Sequence, residues 1–444
     1  MSLSEGIAEL GQHPGSASFD IFRQHLDPAW VEQALLETGT TSVRNRKIPA
    51  ALVVWLLLGM ALLRDRSIPA VLAHLHLHRV GPPLDDAPPT SGAIVQARDR
   101  LGQEPMQVLF ELTAGHWFSQ GPVGPWFHGL RMLAVDGSVL RVPDSEQNAE
   151  VFGVPKSGRS RGAYPQLRLL TVLDCVNHGV LMGQMGTWDT GELSVARPFW
   201  EQLPDHSVIN LDRGFLSYAV FHYIRSPGIQ RHWVTRAKAR LRWKVIRALD
   251  KDSDLIELEL SAKSRRKDPS LPKTLRVRAI RYQFKGYRPQ ILLTSLLDPV
   301  QYPAADVVAL YHERWEVELA YDEIKTHTLE KREAHLRSQT PERVYQEAWG
   351  LLTAYNLVRV EMAAIAQEAG VPPRRISFRA ALLIIRNVWL CAWMTTPGAI
   401  PSLLQAMRRE LKLLILPERR TRVAPREVKI KMSPYLKKQR THHA

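Results

Sequence analysis

Hydrophobic positions divide the chain into a helical first part, a strand-rich middle and a helical last part. In residues 1–120, apolar side chains recur at helical spacing, as in FDIFRQHLDPAWVEQALLET and EPMQVLFELTAGHWF. From residue 130 the apolar runs become short and β-branched, which is typical of strands, as in RMLAVDGSVLRV, LRLLTVLDCVNHGVLMGQMG and HSVINLD. Strand-like runs continue over 231–296 around a basic polar loop, SAKSRRKDPSLPK. Helical spacing then returns over 303–329, 341–368 and 376–394.

The apolar stretch from Ile48 to Leu63 could be mistaken for a membrane span. It holds 16 residues without a charge, whereas a bilayer core needs about 20 apolar residues. It also contains a proline and a glycine, so it predicts a buried helix, and no membrane partner is expected. The N-terminal residues MSLSEGIAELGQ lack the pattern of a secretory signal.

Composition and charge narrow the class of protein. The 444 residues are 45% hydrophobic and 23% charged, which is globular composition and enough chain for two or three domains. The net charge of +15 favours a polyanionic partner, nucleic acid first. The two cysteines exclude a disulfide framework and suit a reducing compartment. The tail from Glu418 carries nine Lys or Arg against two Glu. It is therefore either a solvated, disordered arm or an arm that binds phosphate.

An acidic stretch within this basic chain, YHERWEVELAYDEIK at 311–325, suggests chemistry. On an α-helix with 100° per residue, one stripe about 60° wide collects four polar side chains: Tyr311, Arg314, Glu318 and Lys325. A core-facing side is predicted for Val317, Ala320, Tyr321 and Ile324. The stripe is explained either by a solvated i,i+4 pair of Arg314 with Glu318 or by a carboxylate metal ligand beside phosphate-binding cations.

Two aspartates could complete such a metal site. Asp136 in LAVDGSVL is either a hairpin-turn residue or a ligand on a strand. Asp212 in SVINLDRGF is either a helix N-cap or a ligand at a strand end, where α/β proteins gather their ligands. Phosphoryl transfer with Mg²⁺ needs two or three acids at one point. A strand Asp, a strand-end Asp and a helix Glu, in that order, favour this chemistry.

These residues carry a resemblance to a known family. The spacing Tyr311-x2-Arg314-x3-Glu318-x6-Lys325 resembles the YREK signature of the IS4 family of bacterial DDE transposases. VDGS at 135–138 and LDRGF at 211–215 resemble its two aspartate boxes. The resemblance covers nearly the whole chain, including RNRKIPAALVVWLLLGMALLRDRSI, YPQLRLL, TPERVYQEAWGLLTAYNLVR and the basic tail.

The resemblance implies an α/β fold: a ribonuclease-H-like catalytic core with a β-rich insertion, preceded by an α-helical N-terminal domain. We expect a helical N-terminal domain over 1–120 that binds transposon ends and a catalytic domain over 121–370, with the insertion at about 225–298. A helical C-terminal region with the basic tail covers 371–444. Glu318 follows Asp212 by 106 positions, which leaves room for the insertion.

The resemblance also assigns roles to residues. Asp136, Asp212 and Glu318 become the catalytic triad that binds Mg²⁺ or Mn²⁺, with two ions expected. Contacts to DNA phosphates are implied for Tyr311, Arg314 and Lys325, and Trp315 packs against DNA or core. The glycine-rich segment KSGRSRG at 156–162 is either a mobile loop or a DNA-backbone contact, and we expect the latter for Lys156, Arg159, Arg161 and Arg168. It lacks a nucleotide-binding GK[ST], so no nucleotide cofactor is expected.

One position departs from the family pattern. Some relatives have a tryptophan before the LLT strand, which holds a flipped base while a DNA hairpin forms. Gln290 stands at that position here, in PQILLT. Base extrusion favours an aromatic or apolar pocket, so Trp233 or Trp243 is the candidate substitute.

The resulting prediction is a cut-and-paste DNA transposase that cleaves and joins strands at terminal inverted repeats. Its partners are double-stranded transposon-end and target DNA and a second copy of the chain, because two ends must be joined. A cytoplasmic, nucleoid-associated location follows. Two alternatives remain open at this point: a stand-alone metal-dependent DNA endonuclease, and a catalytically inactive DNA-binding repressor.

Overall fold

The computed structural model describes residues 25–41, 48–74, 89–118, 126–157, 160–161, 164–226, 228–239, 241–284, 288–329, 335–391 and 395–418. Its helices before the sheet are α1 Pro28–Glu37, α2 Ala50–Leu62, α3 Ile68–His74, α4 Ser91–Leu101 and α5 Glu104–Phe118. Those among the strands are α6 Glu146–Phe152, α7 Glu192–Val195, α8 Phe199–Gln202, α9 Tyr218–Arg225 and α10 Ala262–Lys267. The last are α11 Ala304–His312, α12 Trp315–Asp322, α13 Pro341–Ala369, α14 Phe378–Cys391 and α15 Ile400–Lys412.

The strands are β1 Arg131–Arg141, β2 Lys156–Ser157, β3 Ser160–Arg161, β4 Gln166–Asp174, β5 Val180–Gly186, β6 Ser207–Leu211, β7 Arg231–Arg236, β8 Lys244–Ala248, β9 Ser253–Glu259, β10 Thr274–Tyr282 and β11 Gln290–Thr294. Nine of them form one sheet in the order β5-β4-β1-β6-β7-β11-β10-β9-β8. Strands β1, β6 and β7 run parallel, and every other pairing in this sheet is antiparallel. A mixed α/β fold with one large sheet is therefore confirmed.

Helix α2 is buried on all sides, as the uncharged stretch predicts. It packs on α13, and both belong to one apolar core that also receives side chains from β1 and β4. Polar contacts fasten the same junction: Arg98 of α4 donates to Gln346 of α13 through its Nε at 3.1 Å, and Arg64 pairs with the buried Glu347. Among the described residues, no helix combines the length and the apolar run needed to span a bilayer.

The structure decides between two alternatives for Asp136 and corrects two local predictions. Asp136 and Gly137 lie inside β1 and pair with Thr171 and Leu170 of β4, so the hairpin-turn interpretation is wrong. The polar loop SAKSRRKDPSLPK contains the short helix α10, which Ser261 caps by accepting from the amide of Ser264.

The predicted helix over 303–329 is also interrupted. It separates into α11, α12 and a π-helix over Glu323–Thr328. At the first junction, the Leu310 carbonyl accepts from the amide of Glu313 and from the side chain of Asn210, at 3.1 and 3.2 Å. Competition for this carbonyl tightens the turn and ends α11. π-Helical turns are rare and often lie at functional sites.

Two helix glycines should respond oppositely to alanine. A Cβ on Gly350 in α13 would lie 3.3 Å from the backbone oxygen of Leu57 in α2, which cannot move without shifting a buried helix. Gly350→Ala should therefore lower the free energy of unfolding by about 1–3 kcal/mol. Gly115→Ala in α5 meets nothing within 4 Å and should raise it by about 0.5–1 kcal/mol. Urea denaturation measures both; stabilisation by Gly350→Ala would contradict the close helix packing.

Candidate active site

The first two predicted acids lie side by side on neighbouring parallel strands. Val135 of β1 pairs with Leu211 of β6, so Asp136 and Asp212 follow at the same level. Neighbouring strands are about 4.8 Å apart. Asp136 accepts from the amide of Gly137 at 2.8 Å. Asp212 caps the 3₁₀ turn after β6, which confirms the predicted N-cap without excluding a second role.

A tyrosine joins the helix of the third acid to the first acid. The hydroxyl of Tyr321 in α12 donates to the backbone carbonyl of Asp136 at 2.8 Å and lies 3.0 Å from Oγ1 of Thr171. Because Tyr321 follows Glu318 by three residues on the same helix, this contact fixes the distance of Glu318 from β1. Tyr321 is buried on the core side, as predicted, but the sequence did not indicate this bond.

One guanidinium lies in electrostatic contact with all three acids. Arg314 donates from Nη2 to Oε1 of Glu318 at 2.9 Å, which confirms the i,i+4 pair. Burial alone would lower the Arg314 pKa, but the Glu318 hydrogen bond and the charges of Tyr311, Glu318 and Asp212 raise it. The positive charge of the same guanidinium also favours the ionised form of Asp136, and so opposes the net rise in the Asp136 pKa. Arg314 thus supplies a positive charge that acts on all three acids and contacts Glu318 directly.

The pKa of Asp136 is raised to about 6. Burial is the main cause, and the negative charges of Asp212 and Glu192 act in the same direction. Lys325 feels the charge of Asp136 as well, although burial makes the net change in the Lys325 pKa a lowering. Burial raises the pKa of Tyr311, which also senses Arg314 and Asp212. Electrostatic interactions therefore link residues of the YREK spacing to the two aspartates.

A buried network holds the helices that carry Glu318 and Lys325. Arg359 of α13 donates to Nδ1 of His178 at 2.5 Å, and Nε2 of His178 lies 2.6 Å from Glu316 of α12. Since Nδ1 accepts, the proton lies on Nε2 and is donated to Glu316. Glu323, in the π-helix, is paired with Arg359 and accepts from Tyr355 at 2.8 Å. Both segments are thereby fixed to α13.

The acids match a divalent cation in chemistry, because Mg²⁺ and Mn²⁺ prefer oxygen ligands. A cation would also offset the repulsion that raises the pKa of Asp136. Within the described part of the chain, however, no three His, Cys, Asp or Glu side chains are gathered closely enough to hold a metal ion.

The other predicted DNA contacts are dispersed. Trp315 is 55% exposed. Lys156 and Arg161 pair in the β2–β3 hairpin, and Arg159 lies outside the described residues. Arg168 donates from Nη1 to Glu192 at 2.8 Å, so its charge is already engaged at the site. Sequence reasoning missed Glu192, because a lone acid after a glycine gives no signal of its own.

The structure also describes the three residues considered for holding a flipped base while a DNA hairpin forms. Gln290 opens β11 and accepts from the hydroxyl of Tyr282 at 2.8 Å. Trp233 is 1% exposed and stacks on Phe221 with ring centroids 3.7 Å apart. Trp233 is therefore a core residue and cannot offer a stacking surface, which corrects one of the two proposed substitutes. Trp243 is only partly buried.

Replacing Asp136 should stabilise the metal-free protein above neutral pH. Its folded pKa of about 6 exceeds the ordinary 3.8, so folding penalises the ionised form. The penalty is absent well below pH 4 and complete above pH 6. Asp136→Asn should therefore raise the free energy of unfolding by about 1–3 kcal/mol at pH 8, and the gain should fade towards pH 4.

Denaturation in EDTA at several pH values measures this gain. Asp298→Asn is a control in which the change in stability should have the opposite sign. The backbone amides of Gln301 and Val300 lower the pKa of Asp298, so removing its charge should destabilise the protein at high pH. A loss of stability in Asp136→Asn that is equal at pH 4 and pH 8 would contradict the buried, repelled carboxylate.

Two family models match the chain. Residues 16–111 match the family described as insertion element 4 transposase N-terminal. Residues 128–357, more than half of the chain, match the transposase DDE domain. The first matched range contains helices α1–α4. The second contains every residue of the triad and of the YREK spacing.

The first of three similar proteins supports the same family. The chain is 33% identical over 406 residues to the transposase InsG for insertion sequence element IS4 of Escherichia coli (strain K12), covering 91% of this chain and 90% of that one. It is 26% identical over 308 residues to InsZ of the same organism, covering 64% and 98%. A cryo-EM structure of the piggyBac transposase synaptic complex with hairpin DNA overlaps 92% of this chain and 87% of its own at 10% identity, with a TM-score of 0.43. The chain belongs to the IS4 family of DDE transposases and is a DNA transposase.

Proposed function

We propose that this transposase moves its element by cut-and-paste chemistry at the Asp136–Asp212–Glu318 site. The observation that carries the proposal is the parallel register that sets the two aspartates side by side, with the Glu318 helix bonded to the Asp136 carbonyl. Terminal inverted repeats are the DNA that it cleaves, and target DNA is the acceptor. A stand-alone nuclease or an inactive repressor would not need the joining step tested below.

The sheet supports a ribonuclease-H-like core. Its first five strands in spatial order are β5-β4-β1-β6-β7, with β5, β4 and β1 antiparallel and β6 and β7 parallel to β1. In that arrangement β7 belongs to the core, so the insertion begins after Arg236 and consists of β8–β11 and α10. The predicted start at about 225 would be too early by the length of β7.

The triad is suited to two ions of Mg²⁺ or Mn²⁺. When bound, such ions activate the attacking oxygen and neutralise the leaving oxygen. Asp136 and Asp212 would hold them from the sheet, and Glu318 would complete the set from α12 once it releases Arg314. The freed Arg314, together with Lys325 and Tyr311, then faces DNA phosphate. Arginine binds phosphate through paired hydrogen bonds, and lysine acts as a compact charge.

The chemistry needs no nucleotide cofactor. Water attacks phosphorus at the element end, the bond from phosphorus to the 3′ oxygen breaks, and a 3′-hydroxyl is released. That hydroxyl attacks a target phosphate and displaces another 3′ oxygen, so one phosphodiester replaces another. The residues of the proposed site would bind and orient the reacting DNA groups and neutralise their charge, which is the main requirement of phosphoryl transfer.

The rest of the chain would supply DNA binding and assembly. The N-terminal helices would recognise the element's ends, and two copies would bring two ends together as a dimer. The net charge of +15 suits a backbone-dominated, salt-sensitive association with DNA and with the nucleoid. Trp243, near β8, is the remaining candidate to hold a flipped base.

Glu318→Gln should abolish cleavage while keeping the protein folded and bound to DNA. The amide retains the shape and can still accept from Arg314 but provides no charge for a cation, so the rate should fall at least about 100-fold. A labelled duplex with the element's own terminal repeat, in Mg²⁺ or Mn²⁺ against EDTA, measures cleavage and joining to a plasmid. Glu201→Gln on α8 is the matched control; cleavage by Glu318→Gln at the wild-type rate would rule out the triad.

Lys325→Gln should weaken duplex binding and should also make that binding less dependent on salt. If Lys325 neutralises one phosphate, the slope of log K against log salt should fall by about 1 in magnitude. Fluorescence anisotropy in EDTA from low to moderate salt measures the slope without metal. Lys412→Gln is the control, because Lys412 pairs with Glu368 at 2.7 Å. An unchanged slope in Lys325→Gln would exclude the phosphate contact.

A further inference from the structure

Strand β7 adds a third charged side chain at the level of the two aspartates. Leu211 of β6 pairs with Thr235 of β7 in parallel register, so Asp212 and Arg236 follow at one level. Asp136 lies at the same level on β1, on the other side of Asp212. Neighbouring strands are about 4.8 Å apart. The backbone of Arg236 is therefore one strand away from Asp212 and two strands away from Asp136.

Arg236 faces the same side of the sheet as the aspartates. Side chains alternate along a strand, so Arg236 shares the side of Val234, two residues before it. Val234 packs in one apolar cluster with Val208 of β6 and Tyr311 of α11. Asp212 follows Val208 by four residues and so shares this side as well. Arg236 and Asp212 therefore both extend from the sheet towards α11.

The charge of Arg236 reaches two tyrosines. Burial raises the pKa of Tyr311 and of Tyr282, and the positive charge of Arg236 opposes this rise in both. Tyr282 lies on β10, beyond β11 in the order of strands. The guanidinium therefore lies on the side of the site that faces the proposed insertion. Sequence reasoning missed Arg236, because a basic residue in a basic chain gives no signal of its own.

Arg236 differs from nearby arginines in having no carboxylate partner within the described ranges. Arg231, at the start of β7, donates to Asp205 at 2.8 Å, and Arg314 donates to Glu318 at 2.9 Å. Among the residues that the structure describes, the side chain of Arg236 forms neither an ion pair nor a hydrogen bond. It is also only partly buried. Its guanidinium is therefore available to an anion from outside the chain.

We propose that Arg236 binds a DNA phosphate on the insertion side of the active site, next to the phosphate that Arg314 and Lys325 would hold. This inference rests on the proposed function of that site and adds a third cation to it. The charge of Lys325 acts on Asp136 of β1, and that of Arg314 acts on both aspartates. Arg236 continues this series on β7. Cations placed across successive strands suit the regularly spaced phosphates of one DNA strand, and a guanidinium binds phosphate through paired hydrogen bonds.

Arg236→Gln removes the charge and keeps much of the side-chain length. Fluorescence anisotropy in EDTA, with the full-length protein and a duplex that spans the element end, measures the effect without metal. Binding should be about tenfold weaker at about 0.1 M salt, and the slope of log K against log salt should fall by about 1 in magnitude. Arg236→Lys should keep the slope, because lysine retains the charge. Arg281→Gln is the matched control, since Arg281 is paired with Asp254 on the opposite side of the same sheet.

Single methylphosphonate linkages in the duplex locate the contact, because each removes the charge of one phosphate. Across a series of such duplexes, the wild-type protein should lose affinity at every phosphate that it contacts. Arg236→Gln should lose nothing further at one of these linkages, since removing either partner of one contact has the same effect as removing both. Lys325→Gln should lose nothing further at a different linkage.

An unchanged salt slope in Arg236→Gln, or losses that add at every linkage, would overturn the proposal. Additive losses together with a lower midpoint in urea would make Arg236 a residue that only supports the fold. If the losses in Lys325→Gln were also additive at every linkage, DNA would not occupy the proposed site, and the proposed function of that site would fail instead.

Discussion

The parallel register between β1 and β6 is the constraint on which the active site depends. Leu133 and Val135 of β1 and Ile209 and Leu211 of β6 face one buried core, so the alternating positions, Asp136 and Asp212, face the opposite side under α11 and α12. A slip of one residue would turn one aspartate into the apolar core. The register is therefore specified by hydrophobic burial, and the pairing of the acids is its consequence.

That pairing has an electrostatic cost, and the surroundings of the acids offset it. Burial penalises the ionised form of Asp136, and repulsion by Asp212 adds to the penalty, so the pKa of Asp136 is raised. Arg314 supplies a compensating positive charge, and it also donates to Glu318 at 2.9 Å. Reducing this negative charge would stabilise the folded site, and the DDE transposase family generally uses a divalent metal.

Rigidity around the site comes from buried polar groups on elements far apart in sequence. His178, Glu316 and Arg359 join the β4–β5 turn, α12 and α13 into one hydrogen-bonded network. Such networks are costly when incomplete and specific when complete, because each buried group needs its partner. The Tyr321 bond to the Asp136 carbonyl adds the link to β1. Phosphoryl transfer gains most from such positioning, since the protein contributes little covalent chemistry.

The sequence alone determined the family, the α/β class and the residues of the YREK spacing, because ligand types and spacing along one helix or one strand are local properties. It also predicted α2, α5, β6 and α13 with nearly correct limits, since their periodicity is strong. It left alternatives open where distant groups decide: Asp136–Gly137 lies in a strand-like run but has the local signature of a turn, and pairing with β4 decides for the strand. The break before Trp315, the π-helix, the Tyr321 bond and the approach of Glu192 were decided only by tertiary structure, because each depends on a partner far away in the chain.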